Sequence, residues 1–123
     1  MSEPKTILTV DDSPTMRELL LAALSDMGFR VVQAVDGAAA LETLKVEHAD
    51  IIITDVNMPR LDGLAFIEEL RKDKRNRATP VLVLTTETDQ ALKDRARKAG
   101  ATGWIVKPFD PAKLADAIRR VTA

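Results

Sequence analysis

Five short apolar runs separated by longer stretches of helical period order this chain. The runs are Ile7–Val10, Arg30–Ala34, Ile51–Ile53, Val81–Leu84 and Trp104–Val106. Ile51-Ile52-Ile53 and Val81-Leu82-Val83-Leu84 lack polar alternation, the mark of strands covered on both faces, as in a parallel sheet. Between the runs, Met16, Leu19, Leu20, Ala23, Leu24 and Met27 form one apolar helical stripe, and Leu114, Ala117, Ile118 and Val121 another. Ala38, Leu41 and Leu44, then Leu64, Ile67 and Leu70, give shorter stripes. Asp89–Ala99 is weaker, with Ala91, Leu92, Ala96 and Ala99 set among charges. Ser13-Pro14 and Asp110-Pro111 read as an N-cap followed by proline at the first helical position. Thr88 or Asp89 is suited to cap the fourth helix, and Gly28 and Gly100 sit where helices terminate. The alternation predicts an α/β fold, a doubly wound (βα)5 unit with a five-stranded parallel sheet and right-handed crossovers.

With 123 residues and 46% hydrophobic content, the expectation is a single domain over 1–123 with its own core and no effector domain. The formal net charge of −1 gives no global reason to seek nucleic acid or an anionic membrane. Aromatic content of 3% is too low for a base-stacking platform. Cysteine is absent and His48 is the single histidine, which excludes thiolate chemistry and most zinc sites. No apolar stretch approaches a membrane span, and Met1–Lys5 lacks a leader's apolar core, so a cytoplasmic protein is expected; a monomer is expected as well.

Open α/β sheets bind ligands at the carboxyl ends of their strands. Asp11 and Asp12 follow the first run, Asp55 the third, Thr85 and Thr86 the fourth, and Lys107 the fifth. Parallel strands would gather these residues at one edge. Three adjacent carboxylates repel unless cations intervene, and Lys107 with one divalent ion would neutralise them. The donors are all oxygens, which selects a hard cation, and an incomplete shell completed by water favours Mg²⁺. Metal, ammonium and hydroxyl together suit a phosphoryl group, with a carboxylate as nucleophile.

The segments Thr9–Arg17 (TVDDSPTMR), Ile53–Gly63 (ITDVNMPRLDG), Val81–Glu87 (VLVLTTE) and Gly103–Phe109 (GWIVKPF) resemble the response-regulator receiver family of two-component signalling, and within it single-domain CheY-like chemotaxis regulators. The resemblance implies a flavodoxin/CheY-like strand order of 2-1-3-4-5. It implies that Asp55 is the phosphoacceptor for a histidine kinase's phosphohistidine. Asp12, Asp55 and the Asn57 backbone carbonyl would ligate Mg²⁺, with Asp11 acting through water. Lys107 and Thr85 would bind the phosphoryl group, and the Lys107–Pro108 peptide would be cis. Asn57 and Glu87 fall at the positions that tune acyl-phosphate lifetime. Thr86, larger than the family's usual residue there, would restrict access of water or a phosphatase.

Each position also has a plainer reading. Asp11-Asp12 are capping types, Asp55 a loop acid, Thr85 a β-branched strand residue and Lys107 a solvated strand-end lysine. Trp104 is either a core residue on an edge strand or the family's switch aromatic, a place most members fill with Tyr or Phe. His48 and the basic run Arg71–Arg77 read as solvated, the latter with docking as its functional alternative. The implied output is a change of partner, a flagellar motor switch protein or, for a phosphorelay intermediate, a His phosphotransferase. A turnover phosphatase of the haloacid dehalogenase type is the reading from another class, but its D-x-D spacing is missing.

Overall fold

The computed structural model describes residues 4–58, 60–86 and 89–122. Five strands, β1 (Thr6–Val10), β2 (Arg30–Ala34), β3 (Ile51–Asp55), β4 (Val81–Thr85) and β5 (Gly103–Val106), alternate with five helices. The helices are α1 (Pro14–Asp26), α2 (Gly37–Val46), α3 (Gly63–Lys72), α4 (Gln90–Ala99) and α5 (Pro111–Thr122), and a 3₁₀ turn at Lys74–Asn76 follows α3. All pairings are parallel and the order is β2-β1-β3-β4-β5, as the resemblance implies.

The unbroken apolar runs have a direct cause: each strand feeds two cores. Leu8, Val10, Ile52, Val81 and Val83 pack with Ala40 and Leu44 of α2, Phe66, Ile67 and Leu70 of α3, and Ala96 of α4. Their neighbours Ile7, Ile51, Ile53, Leu82, Leu84 and Ile105 pack on the opposite face with Leu20 and Leu24 of α1 and Leu114 and Ile118 of α5. Phe66 is fully buried, a placement worth roughly 2–3 kcal/mol over leaving it in water. Edge strand β2 is covered least; Arg30 and Gln33 are exposed.

Side chains end the helices as their positions suggest. The Ser13 hydroxyl accepts from Met16 N (3.2 Å), Asp36 from Ala39 N (2.8 Å), Asp62 from Ala65 N (2.8 Å) and Asp110 from Lys113 N (2.8 Å). Asp89 caps α4 through Ala91 N (2.8 Å), while Thr88, the other candidate, lies outside the described residues. Gly28 follows α1 at φ +94°, and Gly100 ends α4 at φ +116°, the left-handed region that glycine enters at least cost.

Three expectations shift. Leu19, placed in the buried stripe of α1, is 57% exposed, because the sheet takes Leu20 and Leu24. In α2 the buried residues are Gly37, Ala40 and Leu44, and Ala38 lies to one side. Arg71, in the basic run, is not simply solvated. Its guanidinium donates to the Gly100 carbonyl (2.7 and 3.1 Å) and the Asn76 carbonyl (2.6 Å), tying the end of α3 to the end of α4. His48 is exposed, 3.1 Å from Asp50 Oδ1.

Candidate functional site

Register converts sequence position into place. Val10 pairs with Thr54, Asp55 with Leu84 and Thr85 with Val106, so four strands end at one edge. There Asp11, Asp12 and Asp55 each offer a carboxylate oxygen, all within 4.8 Å of one another. Asp12 is exposed and Asp55 half-buried, while Asp11 is fully buried. Lys107 Nζ reaches into the cluster, 3.3 Å from Asp55 Oδ1 and 3.6 Å from Asp11 Oδ2. Its backbone N donates to the Thr85 carbonyl (2.8 Å), and the Lys107–Pro108 peptide is cis.

Each carboxylate is held by the loop that follows its strand. Asp11 Oδ1 accepts from Ser13 N (2.9 Å), and Asp55 Oδ1 from Val56 N (2.8 Å). Burial is the largest influence on Asp11 and pushes its carboxyl above the ordinary aspartate value. The Ser13 N–H and the Lys107 ammonium oppose that rise, and the charges of Asp55 and Asp12 add to it.

The residues present fit a divalent cation. Asp11 Oδ2 is buried and accepts no hydrogen bond from the described residues, with Lys107 Nζ at 3.6 Å too far to supply one, so part of the cost of burying it is left uncompensated. One ammonium does not balance three carboxylates. An all-oxygen donor set open on one side, at Asp12, favours Mg²⁺ over softer metals.

Around this centre, Asn57 is exposed in the loop after β3 and Thr86 is exposed after β4. Glu87 lies outside the described residues. Thr85 is buried and, with Val83, Leu92, Lys93, Ala96 and Trp104, lines a cavity of about 10 Å³. That volume admits no indole. Trp104 instead lies half-buried against α4, with Lys93 Nζ 4.8 Å and Arg97 Cζ 5.9 Å from its ring centroid, a cation–π arrangement.

Two supporting residues lie inside the quoted motifs but carry no sequence signal of their role. Arg17 Nη1 donates to the Asp11 carbonyl (2.8 Å), bracing the loop that carries both N-terminal acids. Gly63 packs against the backbone of the residue it serves: a Cβ there would lie 2.0 Å from the Asp55 carbonyl oxygen, and Gly63 N donates to the Val56 carbonyl (2.8 Å). The close approach is to backbone, which cannot rotate away. Gly63→Ala is expected to destabilise the fold by about 3 kcal/mol, read as a lowered urea midpoint. An unchanged midpoint would mean that the loop after β3 has slack.

Residues 7–119 match the family model described as response regulator receiver domain. A relative named probable transcriptional regulator ycf27, from Cyanophora paradoxa, is 40% identical over 115 residues, covering 94% of this chain and 47% of its own. The chain thus spans about half the length of the first curated relatives it matches. The crystallised chemotaxis protein CheY4 of Vibrio cholerae superposes with a TM-score of 0.93 at 41% identity, covering 96% of this chain and 98% of its own. The receiver domain of sensor histidine kinase PA1611 from Pseudomonas aeruginosa superposes at 0.89 with 29% identity, covering 98% and 99%, and carries a magnesium ion coordinated in its active-site cleft. With its strand-end acids, its lysine and its parallel sheet in the order 2-1-3-4-5, the chain belongs to the response regulator receiver domain family.

Proposed function

We propose that the chain is a phosphorylation switch in which Asp55 takes a phosphoryl group from a histidine kinase and the α4–β5–α5 face changes its partner. The observation that carries this reading is Lys107 Nζ standing between Asp55 and a buried, under-partnered Asp11. A carboxylate oxygen of Asp55 attacks the phosphorus of a phosphohistidine. The P–N bond breaks, its electron pair goes to the imidazole nitrogen, and that nitrogen takes up a proton. Attack by water later breaks the O–P bond, returning the carboxylate and inorganic phosphate. Asp11, Asp12, Asp55 and the Asn57 carbonyl are the groups that would hold Mg²⁺, which when bound neutralises phosphoryl oxygens. Lys107 supplies a second positive charge at the same oxygens, and the Thr85 hydroxyl a hydrogen bond. Each cycle modifies the protein itself, so the chain is a stoichiometric switch rather than a turnover enzyme.

Phosphorylation takes the Asp55 side chain from −1 to about −2. Drawing Thr85 toward the new oxygens would enlarge the small cavity that it shares with Trp104. The indole can enter only if α4 gives way at Leu92 and Ala96, and α4 buries little beyond Ala96. Trp104 is the sole tryptophan and tyrosine is absent, so intrinsic fluorescence reports this one site. Beryllofluoride with Mg²⁺ is expected to shift Trp104 emission to the blue, and Thr85→Ala to abolish the shift. An unmoved spectrum would remove Trp104 from the switch.

The output we assign is chemotaxis, with a flagellar motor switch protein as partner. Similarity to CheY4 across nearly the full length of both chains supports it. No helix among the described residues is long and apolar enough to cross a membrane, which is consistent with a place in the cytoplasm. The test is a pull-down with beryllofluoride and Mg²⁺ against untreated protein. Activation-dependent capture of a motor switch protein supports this output; capture of a His phosphotransferase makes the chain a phosphorelay intermediate. Sustained hydrolysis of small phosphomonoesters would replace both with a phosphatase.

A further inference from the structure

The loop between β3 and α3 is stapled at two points. The first is at Asp55, through Val56 N and Gly63. The second lies at the far end of the loop and joins it to the start of α2. Arg60 grips Asp36 with a two-pronged contact, Nε to Oδ2 at 2.7 Å and Nη2 to Oδ1 at 3.0 Å. One residue further on, Gly37 N donates to the Leu61 carbonyl (3.1 Å), and a Cβ on Gly37 would come within 2.6 Å of that oxygen. The two strands of backbone therefore run in close contact.

Two features mark this pair as more than a surface ion pair. Asp36 is 4% exposed beneath the Arg60 side chain, which is itself 62% exposed, so the carboxylate is covered and a planar guanidinium engages both its oxygens. Arg60 also adopts φ +66°, the only non-glycine residue at positive φ among the described residues. That conformation is disfavoured for a side chain with a Cβ. A fork-on-carboxylate contact at the same residue offsets the cost. The Arg60 guanidinium further holds the Asp36 carboxyl below the ordinary aspartate value.

Between the two staples lies Asn57, whose backbone carbonyl is the one main-chain ligand in the proposed metal set. We propose that Asp36 and Arg60 are positioning residues that fix the loop after β3, and through it the Asn57 carbonyl, and so set Mg²⁺ affinity and the lifetime of the acyl phosphate. This rests on the phosphoacceptor reading above. Neither residue is among the proposed metal or phosphoryl ligands; they act through the backbone of the loop after β3.

Chosen variants separate this role from simple folding. Asp36→Asn keeps a good N-cap for α2 but removes the charge that Arg60 grips. Arg60→Gly removes the guanidinium while suiting positive φ, so no strain is added. Calorimetric titration with Mg²⁺ is expected to show each variant binding about tenfold more weakly, the range seen when residues supporting metal ligands are removed. The double variant is expected to be no weaker than either single one, and Arg60→Lys to restore part of the loss. Amide hydrogen exchange should quicken at residues 56–58 and 60–62 and stay unchanged in β1 and β4. Variants that bind Mg²⁺ like the native chain, with unaltered exchange, would overturn this inference alone. Failure of the native chain to bind Mg²⁺ would overturn it together with the phosphoacceptor reading.

Discussion

Asp55→Asn is expected to slow phosphoryl uptake from acetyl phosphate and Mg²⁺ by more than about a hundredfold. The amide is nearly isosteric with the carboxylate and leaves β3 and its Val56 contact in place, so the loss isolates chemistry from folding. An amide oxygen is a poor nucleophile toward phosphorus, and the neighbouring acids do not substitute. Asp11 is fully buried, with Oδ1 engaged by Ser13 N, and Asp12 sits in the loop after β1. The same change should raise stability without metal by about 1 kcal/mol at low salt. It removes one of three crowded negative charges, although Lys107 gives up its 3.3 Å ion pair. Intact-protein mass after incubation reads the first effect and thermal melting the second. Continued single labelling of the variant would move the acceptor to another residue of the cluster.

The acidic cluster could be read from the linear sequence because a parallel sheet maps strand ends to one edge. Once Ile51–Ile53 and Val81–Leu84 are parallel strands of one sheet, Asp55 and Thr85 must lie at the same edge; the observed pairing of the two strands, with Asp55 opposite Leu84, then makes them close. The phase of α1 could not be read in the same way. Leu19, Leu20, Leu21, Ala22, Ala23 and Leu24 are apolar all round the helix, and only the sheet decides that Leu20 and Leu24 go inside and Leu19 stays out. Ala38, Ala39 and Ala40 pose the same ambiguity in α2. Gly63 belongs to a quoted motif, but the demand for glycine there comes from the Asp55 carbonyl against it, a tertiary contact without a local signature.

Arginines were the least legible residues. Arg17, Arg60 and Arg71 each reach a distant group, respectively the Asp11 carbonyl, the Asp36 carboxylate and the Gly100 and Asn76 carbonyls. A long side chain with five donors can end at any acceptor within its reach, so its partner follows from the fold and not from spacing. Trp104 is intermediate. Its place three residues before Lys107 is plain in the sequence, whereas the 10 Å³ of space between it and Thr85, and its lodging under Lys93 and Arg97, depend on how α4 packs.

Asp11→Asn should act on stability and on metal binding in opposite directions. Burial raises the Asp11 carboxyl above its ordinary value, so the folded protein holds this proton more tightly than the unfolded chain does. Below the ordinary aspartate value both states are protonated and the site costs nothing. As pH rises through that value the unfolded chain ionises first, and stability falls until the folded carboxyl has ionised as well. Once the folded carboxyl has ionised the whole cost is present, and Asn removes it. The variant's amide oxygen can still accept from Ser13 N, while its NH₂ takes the place of Oδ2, 3.6 Å from the Lys107 ammonium, a loss of attraction that offsets part of the gain. A gain of about 1–2 kcal/mol is expected, roughly 3–8 °C in melting temperature for a domain of this size. Mg²⁺ at a hundred times its dissociation constant should stabilise the native chain by about 2.7 kcal/mol, and the variant by much less, because a charge facing the metal is gone. In the native chain Mg²⁺ binding should strengthen with pH over the window in which the metal-free protein loses stability, since proton and metal compete for one carboxylate. Melting curves of both proteins across pH 3–8, with and without Mg²⁺, test these signs together. Subtracting the variant from the native chain cancels the titrating groups outside the cluster and leaves Asp11 together with its coupling to Asp12, Asp55 and Lys107. A variant that melts lower than the native chain without metal, or a difference that does not change with pH, would place the cost of the cluster on Asp12 or Asp55 instead of the buried Asp11.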